Sequence, residues 1–558
     1  MKKICLFLSM ILLLTMFPNI NSFNAYAAAD QAASNQTVKI GLYYGSKAQS
    51  QMIISADKGV ACSAYDAAAN TYSQVFNSSP GQNINIRKDG YFSGSGEKLT
   101  AVAVEGNPTI GPFHLKLKNT YKTYNDTLPV INTYKQKGIT AYPVFTDDGW
   151  NIWTGFYIDH ATAETAIAAV KQKLGQIECT VIDNVETRIC GADSNTGDII
   201  FMYAAEQKLL RGKSLADGEP IQIGTGKLNT YRGQVEFLRA AGSDMTIINV
   251  LSMEEYLYGV VPNEIESFSN IEALKAQAVA ARTYAYLNLT KNSKSNTHLN
   301  YGFNLCNDIH CQVYKGMSSE NAFTNTAVDE TEDMVITYEG KLIEAVYSAS
   351  SGGQTEDATN VWGGAPYLKS VEDKYESGKS PKYNWTLIFT ADEISQKLKN
   401  YNVGNVTGIE VTKVSEAGRP IEVIVKGTLK PEGIKFTKDG CRTFLGLYSQ
   451  WYTLTTNSDI TVLVDGKEEK KQPGELTVVT ADGETKSTEP GEKLTIVDAE
   501  GQTAEVPAAP TEYIFTGKGY GHAVGMSQEG AKGMANAGFT FEEILTHYYT
   551  GTQIEVKK

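Results

Sequence analysis

Ser269-Asn-Ile-Glu-Ala-Leu-Lys-Ala-Gln-Ala-Val-Ala-Ala-Arg-Thr-Tyr-Ala285 is the clearest helix in the chain. Ser269 is placed to cap it, with Glu272 three residues on as the partner of a capping box. Ile271, Leu274, Ala278, Ala281 and Ala285 recur on one face at helical spacing, and no Gly or Pro interrupts them. Small alanines let neighbours approach closely, so the helix is expected to be central and buried. Around it the chain reads mostly as β structure, which makes the fold class α+β and multi-domain.

Upstream, residues 30–108 form an N-terminal β region of short strand-like runs such as Val38-Lys-Ile-Gly-Leu-Tyr-Tyr44. Residues 109–176 change character. His114–Lys118 reads as a strand and Thr127–Lys137 as a helix ended by Gly138. Ile139–Phe145 and Trp150–Tyr157 read as strands joined at Asp147-Asp148-Gly149. Ala161–Leu174 is an amphipathic helix with Ala163, Ile167, Val170 and Leu174 on one face. The order β-α-β-β-α is a compact ferredoxin-like unit. Residues 177–455 return to β character before the central helix and hold the main domain. Residues 456–511 carry three turn signals and read as a small β insertion. Residues 512–558 return to the main domain through a glycine-rich loop and close on a helix from Thr540 to Tyr548.

Bulk properties bound the function. With 558 residues the chain has room for several domains, and its 42 % apolar and 20 % charged content is that of a globular protein. A net charge of −13 argues against a nucleic-acid partner. Tyr is abundant at 31 residues, which suits sugar stacking or half-exposed β surface equally. Met1-Lys-Lys, an apolar run from Ile4 to Phe17 and the small-x-small pattern Ala25-Tyr-Ala27 make residues 1–29 a cleaved signal peptide. Cys5 lies inside the run, not behind a lipobox. No later run approaches the length of a membrane helix, so the mature chain is expected to be secreted, in the cell wall, without a membrane span. In that oxidising setting Cys179 and Cys190 are a plausible disulfide pair.

Two constellations could carry chemistry. The first is Glu264, in Tyr258-Gly-Val-Val-Pro-Asn-Glu-Ile265, where Pro262 and Asn263 are expected to force a non-helical loop. A carboxyl held against Val260, Val261 and Ile265 is expected to have a raised pKa and to stay protonated near neutral pH. The competing reading is a solvated loop carboxylate. The second is His298-x7-Cys306-x3-His310-Cys311, four nitrogen and sulfur donors close enough in sequence to close a tetrahedral zinc site. With four protein ligands such a zinc would be structural. A Cys306–Cys311 disulfide with two bystander histidines is the alternative. Gly519–Gly525 is not a phosphate loop, since no Lys-Ser/Thr pair follows it. Its glycines point to a tight turn or a close backbone approach.

Met253–Ile265 and Ile271–Ala285 resemble the stage II sporulation protein D / amidase-enhancer family. Ser348-Ala-Ser-Ser-Gly-Gly-Gln-Thr-Glu356, Val361-Trp-Gly-Gly, Tyr367-Leu-Lys-Ser-Val371, Gly519-Tyr-Gly-His-Ala-Val-Gly-Met-Ser-Gln-Glu-Gly-Ala-Lys532 and His547-Tyr-Tyr-Thr-Gly551 agree with it in order. The resemblance implies a peptidoglycan lytic transglycosylase, which cuts between N-acetylmuramic acid and N-acetylglucosamine without water. It places the catalytic acid at Glu264 and cleft residues at Lys275, Thr355, Tyr367 and Lys369. His522 falls in the same glycine loop and is expected to line the cleft or to make a structural hydrogen bond. Some members carry zinc at the stretch matched by His298, Cys306, His310 and Cys311. The family's other name implies an alternative, a non-catalytic glycan binder that enhances a partner amidase. The 109–176 unit resembles the sporulation-related repeat (SPOR) domain, which binds glycan strands stripped of peptide, on Gly138-Ile-Thr-Ala-Tyr-Pro-Val144 and Trp150-Asn-Ile-Trp-Thr-Gly-Phe156.

Overall fold

Strand residues dominate the computed structural model, which describes residues 37–557 apart from 97, 176, 241–242, 377, 379, 466, 474–475, 480–481, 488–491 and 498–500. The signal peptide expected at residues 1–29 lies outside the described residues. Several sheets and helices make the architecture α+β, as the sequence predicts. No helix among the described residues is long and apolar enough to cross a membrane. The chain divides into two compact units. One holds residues up to Ser267 with Ala285–Asp329, and the other holds Phe268–Tyr284 with Glu330–Lys558.

In the first unit, strands Thr37–Tyr43, Thr246–Ser252, Gln234–Leu238, Leu209–Ser214, Val60–Asp66 and Thr71–Asn77 lie side by side, all antiparallel. A two-residue strand, Leu305–Cys306, adds in parallel to the Thr37–Tyr43 edge. This last pairing ties the candidate metal ligands to the sheet. A second, ten-stranded sheet begins with the ferredoxin-like unit. Its strands are Phe113–Tyr121, Ala141–Thr146, Gly149–Tyr157 and Cys179–Ile182. In space they run fourth, first, third, second, with helices Tyr124–Gln136 and His160–Leu174 between them in sequence. The closing strand, Cys179–Ile182, makes the unit β-α-β-β-α-β where the sequence reads one element fewer. Four residues with a single buried side chain are too short a run to stand out. Both helices start earlier than predicted because capping boxes at Thr123/Asp126 and Asp159/Thr162 set their first turns. The sheet does not stop at the unit. Met202 and Tyr203 pair with Val144 and Phe145, and the strands continue to Asn229–Tyr231.

The second unit has its core between the sheet Asn384–Thr390, Glu512–Lys518, Tyr452–Thr456 and the sheet Val406–Val414, Pro420–Gly427, Lys430–Thr437. Residues 456–511 leave and return at one hairpin end and form three two-stranded ribbons, the β insertion the turn signals predict. The last helix, Phe541–Tyr548, is capped by Thr540 with Glu543.

The central helix runs from Ile271 to Leu289 and passes from one unit's residues to the other's after Tyr284. It is buried all round, not on one face: Ala273, Ala276, Val279 and Ala280 are as inaccessible as Ala278, Ala281 and Ala285. Its cap differs from expectation. Asn270, not Ser269, accepts from the amide of Glu272 (3.1 Å), which frees the Glu272 carboxylate for other partners. The disulfide expected between Cys179 and Cys190 is absent. All six described cysteines are free thiols, and these two pack into different apolar clusters.

Candidate active site and metal-ligand cluster

Glu264 ends a single helical turn, Val261–Glu264, where the sequence predicts a non-helical loop. Pro262 fits because the first turn of a helix has no amide hydrogen bond for proline to lose. Val260, Val261 and Ile265 are all buried, as the apolar pattern requires, and Glu264 is half-buried beside them. Its Oε1 accepts a hydrogen bond from the backbone N–H of Val313 (2.8 Å).

That amide belongs to a loop fastened repeatedly to the Glu264 segment. Tyr256 donates to Gln312 (2.9 Å), the Lys315 amide donates to the Gly259 carbonyl (3.3 Å), and Asn263 Nδ2 donates to Ser319 Oγ (2.8 Å). Gly259 leaves room for the ring of Tyr314, since a Cβ there would lie 2.5 Å from it. Tyr314 in turn donates to Asn249 Oδ1 on the strand below (2.7 Å). None of these supports shows in the sequence as a motif. The paired spacing of 256–263 with 312–319 exists only in three dimensions.

The same loop carries the histidine and cysteine cluster. His298 Nε2 and His310 Nδ1 are 3.2 Å apart. Cys311 Sγ lies 3.3 Å from His298 Nε2 and 3.5 Å from His310 Nδ1, and Cys306 Sγ lies 3.8 Å from His310 Nδ1. Zinc–nitrogen bonds of about 2.0–2.1 Å and zinc–sulfur bonds of about 2.3 Å in a tetrahedron give N···N and N···S edges of roughly 3.3 and 3.6 Å. All four donor atoms lie within 4.8 Å of one another, and the cluster is the one such group among the described residues. Cys306 and Cys311 are thiols, not a disulfide. The hydrogen bond between them draws the Cys306 thiol down and pushes the Cys311 thiol up. His298 stacks on Phe303 (5.0 Å between ring centroids), and Asn296 Oδ1 accepts from its backbone amide.

In the other unit the remaining candidates fall on two neighbouring loops and on the helix. Thr355 is buried, and its hydroxyl accepts from the Val371 amide (2.8 Å), so it clamps the Tyr367–Val371 stretch. Lys369 is half-exposed and pairs with Asp357 (3.0 Å). Burial alone would raise Asp357, but hydrogen bonds from Thr359 and the Lys369 ammonium hold it below the usual carboxylate range. The Tyr367 hydroxyl accepts from the Glu344 amide (3.0 Å). Lys275 lies between Glu272 (3.1 Å) and Glu330 (2.8 Å), and this pairing holds its pKa up. Glu272 also accepts from the Phe541 amide (2.8 Å). His522 makes the structural hydrogen bond that is one of its two expected roles. Its Nδ1 accepts from the Val524 amide (3.0 Å), and burial, aided by Arg442, pushes its pKa down to about 4. The ring is neutral and packs edge-on to Trp362 (4.9 Å).

The glycine loop approaches protein backbone. Tyr347 and Ser348 pair in parallel with Met526 and Ser527, and a Cβ on Gly525, which has φ +69°, would strike the Val346 carbonyl. Beside it is a group the sequence reading missed: Asp373 and Glu376, both buried, bridged by Ser351 Oγ (2.7 and 2.8 Å). Ser350 donates to Glu376, the Gly352 amide donates to it (2.8 Å), and Tyr548 donates to Asp373 (2.8 Å). Burial raises both carboxyls. The Ser-Ser-Gly-Gly run signals a carboxylate receptor, but its partners lie more than twenty residues downstream.

A family model described as "Stage II sporulation protein" matches residues 241–338, the stretch that holds Glu264, the central helix and all four cluster residues. The chain is 31 % identical over 305 residues to the amidase enhancer of Bacillus subtilis (strain 168), a match covering 53 % of this chain and 40 % of that protein. It is 31 % identical over 356 residues to the stage II sporulation protein D of the same organism, covering 61 % and 84 %. Against the stage II sporulation protein D of Bacillus amyloliquefaciens it is 31 % identical over 318 residues, covering 54 % and 74 %. The chain spans less than half the length of the amidase enhancer but most of the length of both stage II sporulation protein D relatives, and it belongs to the stage II sporulation protein D family.

Proposed function

We propose that this chain is a secreted peptidoglycan lytic transglycosylase, with Glu264 as its single acid and base and peptide-free glycan strands as its substrate. The observation that carries the reading is the setting of Glu264. A carboxylate at the end of one helical turn has its orientation fixed by a backbone amide, from a loop pinned to the same segment at three further points and to the strand below at a fourth. Preorganisation of this kind is what a proton donor needs.

In the proposed step the Glu264 carboxyl gives its proton to the glycosidic oxygen, and the bond from muramic C1 to that oxygen breaks. The sugar's own C6 hydroxyl closes onto C1, and its proton returns to the Glu264 carboxylate. The products are a 1,6-anhydro end and a new terminal hydroxyl. No water is consumed and no second carboxylate is required, in contrast to two-carboxylate hydrolysis. Lys369, half-exposed, would meet a substrate anion, with its partner Asp357 orienting it. Thr355 acts by positioning Lys369, and Tyr367 offers a half-buried ring for a sugar face. Lys275, held between two carboxylates, would act by organising its helix face.

His298, Cys306, His310 and Cys311 would hold a structural zinc, which supplies cross-linking of the loop and no open position for water. The ferredoxin-like unit would add affinity for peptide-free strands. A second reading has one specific support, the relative named amidase enhancer: this chain would bind glycan and stimulate a partner amidase without cutting.

The test is incubation with peptide-free strands and mass spectrometry of the products. Anhydro-muramic ends that drop by about 10²–10⁴-fold in rate in Glu264→Gln, the usual contribution of a general acid, support the proposal. Reducing ends would show hydrolysis instead. Uncut strands with bound protein would leave the enhancer reading.

A further inference from the structure

The sheet formed by Asn384–Thr390, Glu512–Lys518 and Tyr452–Thr456 has two unlike faces. Trp385, Tyr452, Tyr513 and Phe515 point into the core. The register fixes what points out. Asn384 lies opposite Lys518, and the Lys518 amide donates to the Trp451 carbonyl (2.9 Å), so these three form one row across the strands. Thr386 and Thr453 both lie opposite Thr516 and form the next row, and Ile388 and Thr455 flank Ile514 in the third. Asn384, Thr386, Thr453, Thr516 and Lys518 are exposed, and Ile388 is 57 % exposed. A groove of about 480 Å³ lies over the first two rows.

These rows have the chemistry of a polysaccharide platform. At one end Trp451 is half-buried and braced, with the Arg419 guanidinium 4.6 Å and the Lys518 ammonium 5.5 Å from its ring centroid. The middle row is three threonine hydroxyls in register, and the far row presents isoleucine methyls. Nearby, the Lys382 ammonium sits 4.1 Å from the Tyr448 ring centroid. Lys518 is the exposed cation of these three rows, which hold no carboxylate, while Glu512 lies in the row beyond Ile388 and Ile514, so it is the Trp451 end of the face that suits an anionic ligand. An acetylated sugar polymer matches each row: ring faces for Trp451, hydroxyls and amides for Asn384 and the threonines, acetamido methyls for the isoleucines. A muramic lactyl carboxylate, freed once the stem peptide is gone, matches Lys518.

We infer that this sheet face is an accessory binding site for peptide-free, carboxylate-bearing glycan strands. The inference rests on the wall-glycan reading above, and the following test separates the two. In the Glu264→Gln full-length chain, hydroxyl-radical footprinting with saturating peptide-free strands should protect Trp451 and Ile388. The double variant Lys518→Glu/Thr516→Glu, with an unchanged melting temperature, should lose that protection. Its binding to the strands should fall about tenfold, the scale of one lost charge contact. Neutral N-acetylglucosamine oligomers should protect less than peptide-free strands. Unchanged oxidation of Trp451 and Ile388 at saturation overturns the inference, as does protection by a wall teichoic acid but not by glycan. If the wild-type chain cuts strands while the face stays unprotected, this inference alone fails. If the face is protected and no anhydro ends form, the catalytic reading alone fails.

Discussion

Glu264 is held by an amide forty-nine positions along the chain, so its neighbours in sequence explain its burial and not its aim. The apolar residues around it were legible: Val260, Val261 and Ile265 are buried as their pattern implies. Val313, which orients it, carries no sequence signal because the contact uses only backbone. The Asp373–Glu376 pair was illegible for a related reason, since a carboxylate reads as surface until its receptor is known. Burial raises the pKa of both carboxyls, so the folded state binds a proton in a range where the unfolded chain has released it. Stability from this pair is therefore present below the unfolded carboxyl range, near pH 4, and is lost as pH rises through the raised folded values. The melting temperature is expected to rise on acidification from pH 8 towards pH 5, and Asp373→Asn, which needs no proton to stay neutral, should flatten that slope. A wild-type slope that survives in Asp373→Asn would refute this account of the buried carboxyls.

At the scale of the element, the loop from His298 to Ser319 is the part whose fold depends most on its side chains. It has only a two-residue strand and short 3-10 turns of its own. Its order comes from the donor cluster at one end and from Tyr256, Gly259 and Asn263 at the other. If zinc closes the cluster, the purified protein should contain about one zinc per chain. Cys311→Ser should lose the metal and lower the melting temperature by several degrees, the scale of a few kcal/mol in a domain of this size. Elemental analysis and calorimetry read both effects without any substrate. Because Val313 lies two residues beyond Cys311, the variant should also lower the cutting rate more than it weakens strand binding. A metal-free wild-type protein of equal stability would sink this account.

For the whole molecule, the β insertion is the segment the fold can lose. Its flanking strands are already antiparallel neighbours, with Thr456 opposite Tyr513 and the Asn457 amide donating to the Glu512 carbonyl (3.2 Å). Replacing residues 458–511 with Asn-Gly would close that hairpin by a two-residue turn between Asn457 and Glu512. The shortened chain should fold with a melting temperature within a few degrees of the parent, as measured by circular dichroism. The ferredoxin-like unit is the opposite case. Its strand Ala141–Thr146 pairs with Ile199–Tyr203, so excising it would open a sheet edge, and its role is best tested in the full chain.

The sequence by itself determined the elements and the chemistry on offer. Periodicity placed the central helix, turn residues placed the hairpins, and the spacing of His298, Cys306, His310 and Cys311 marked a donor set, because each of these signals is local. Tertiary structure decided what the elements enclose. It buried the helix on every side, moved its cap to Asn270, extended the ferredoxin-like sheet to ten strands, kept Cys179 and Cys190 apart as thiols, and gave Glu264 its backbone donor. Those outcomes depend on pairings between residues far apart in the chain, which local pattern does not encode.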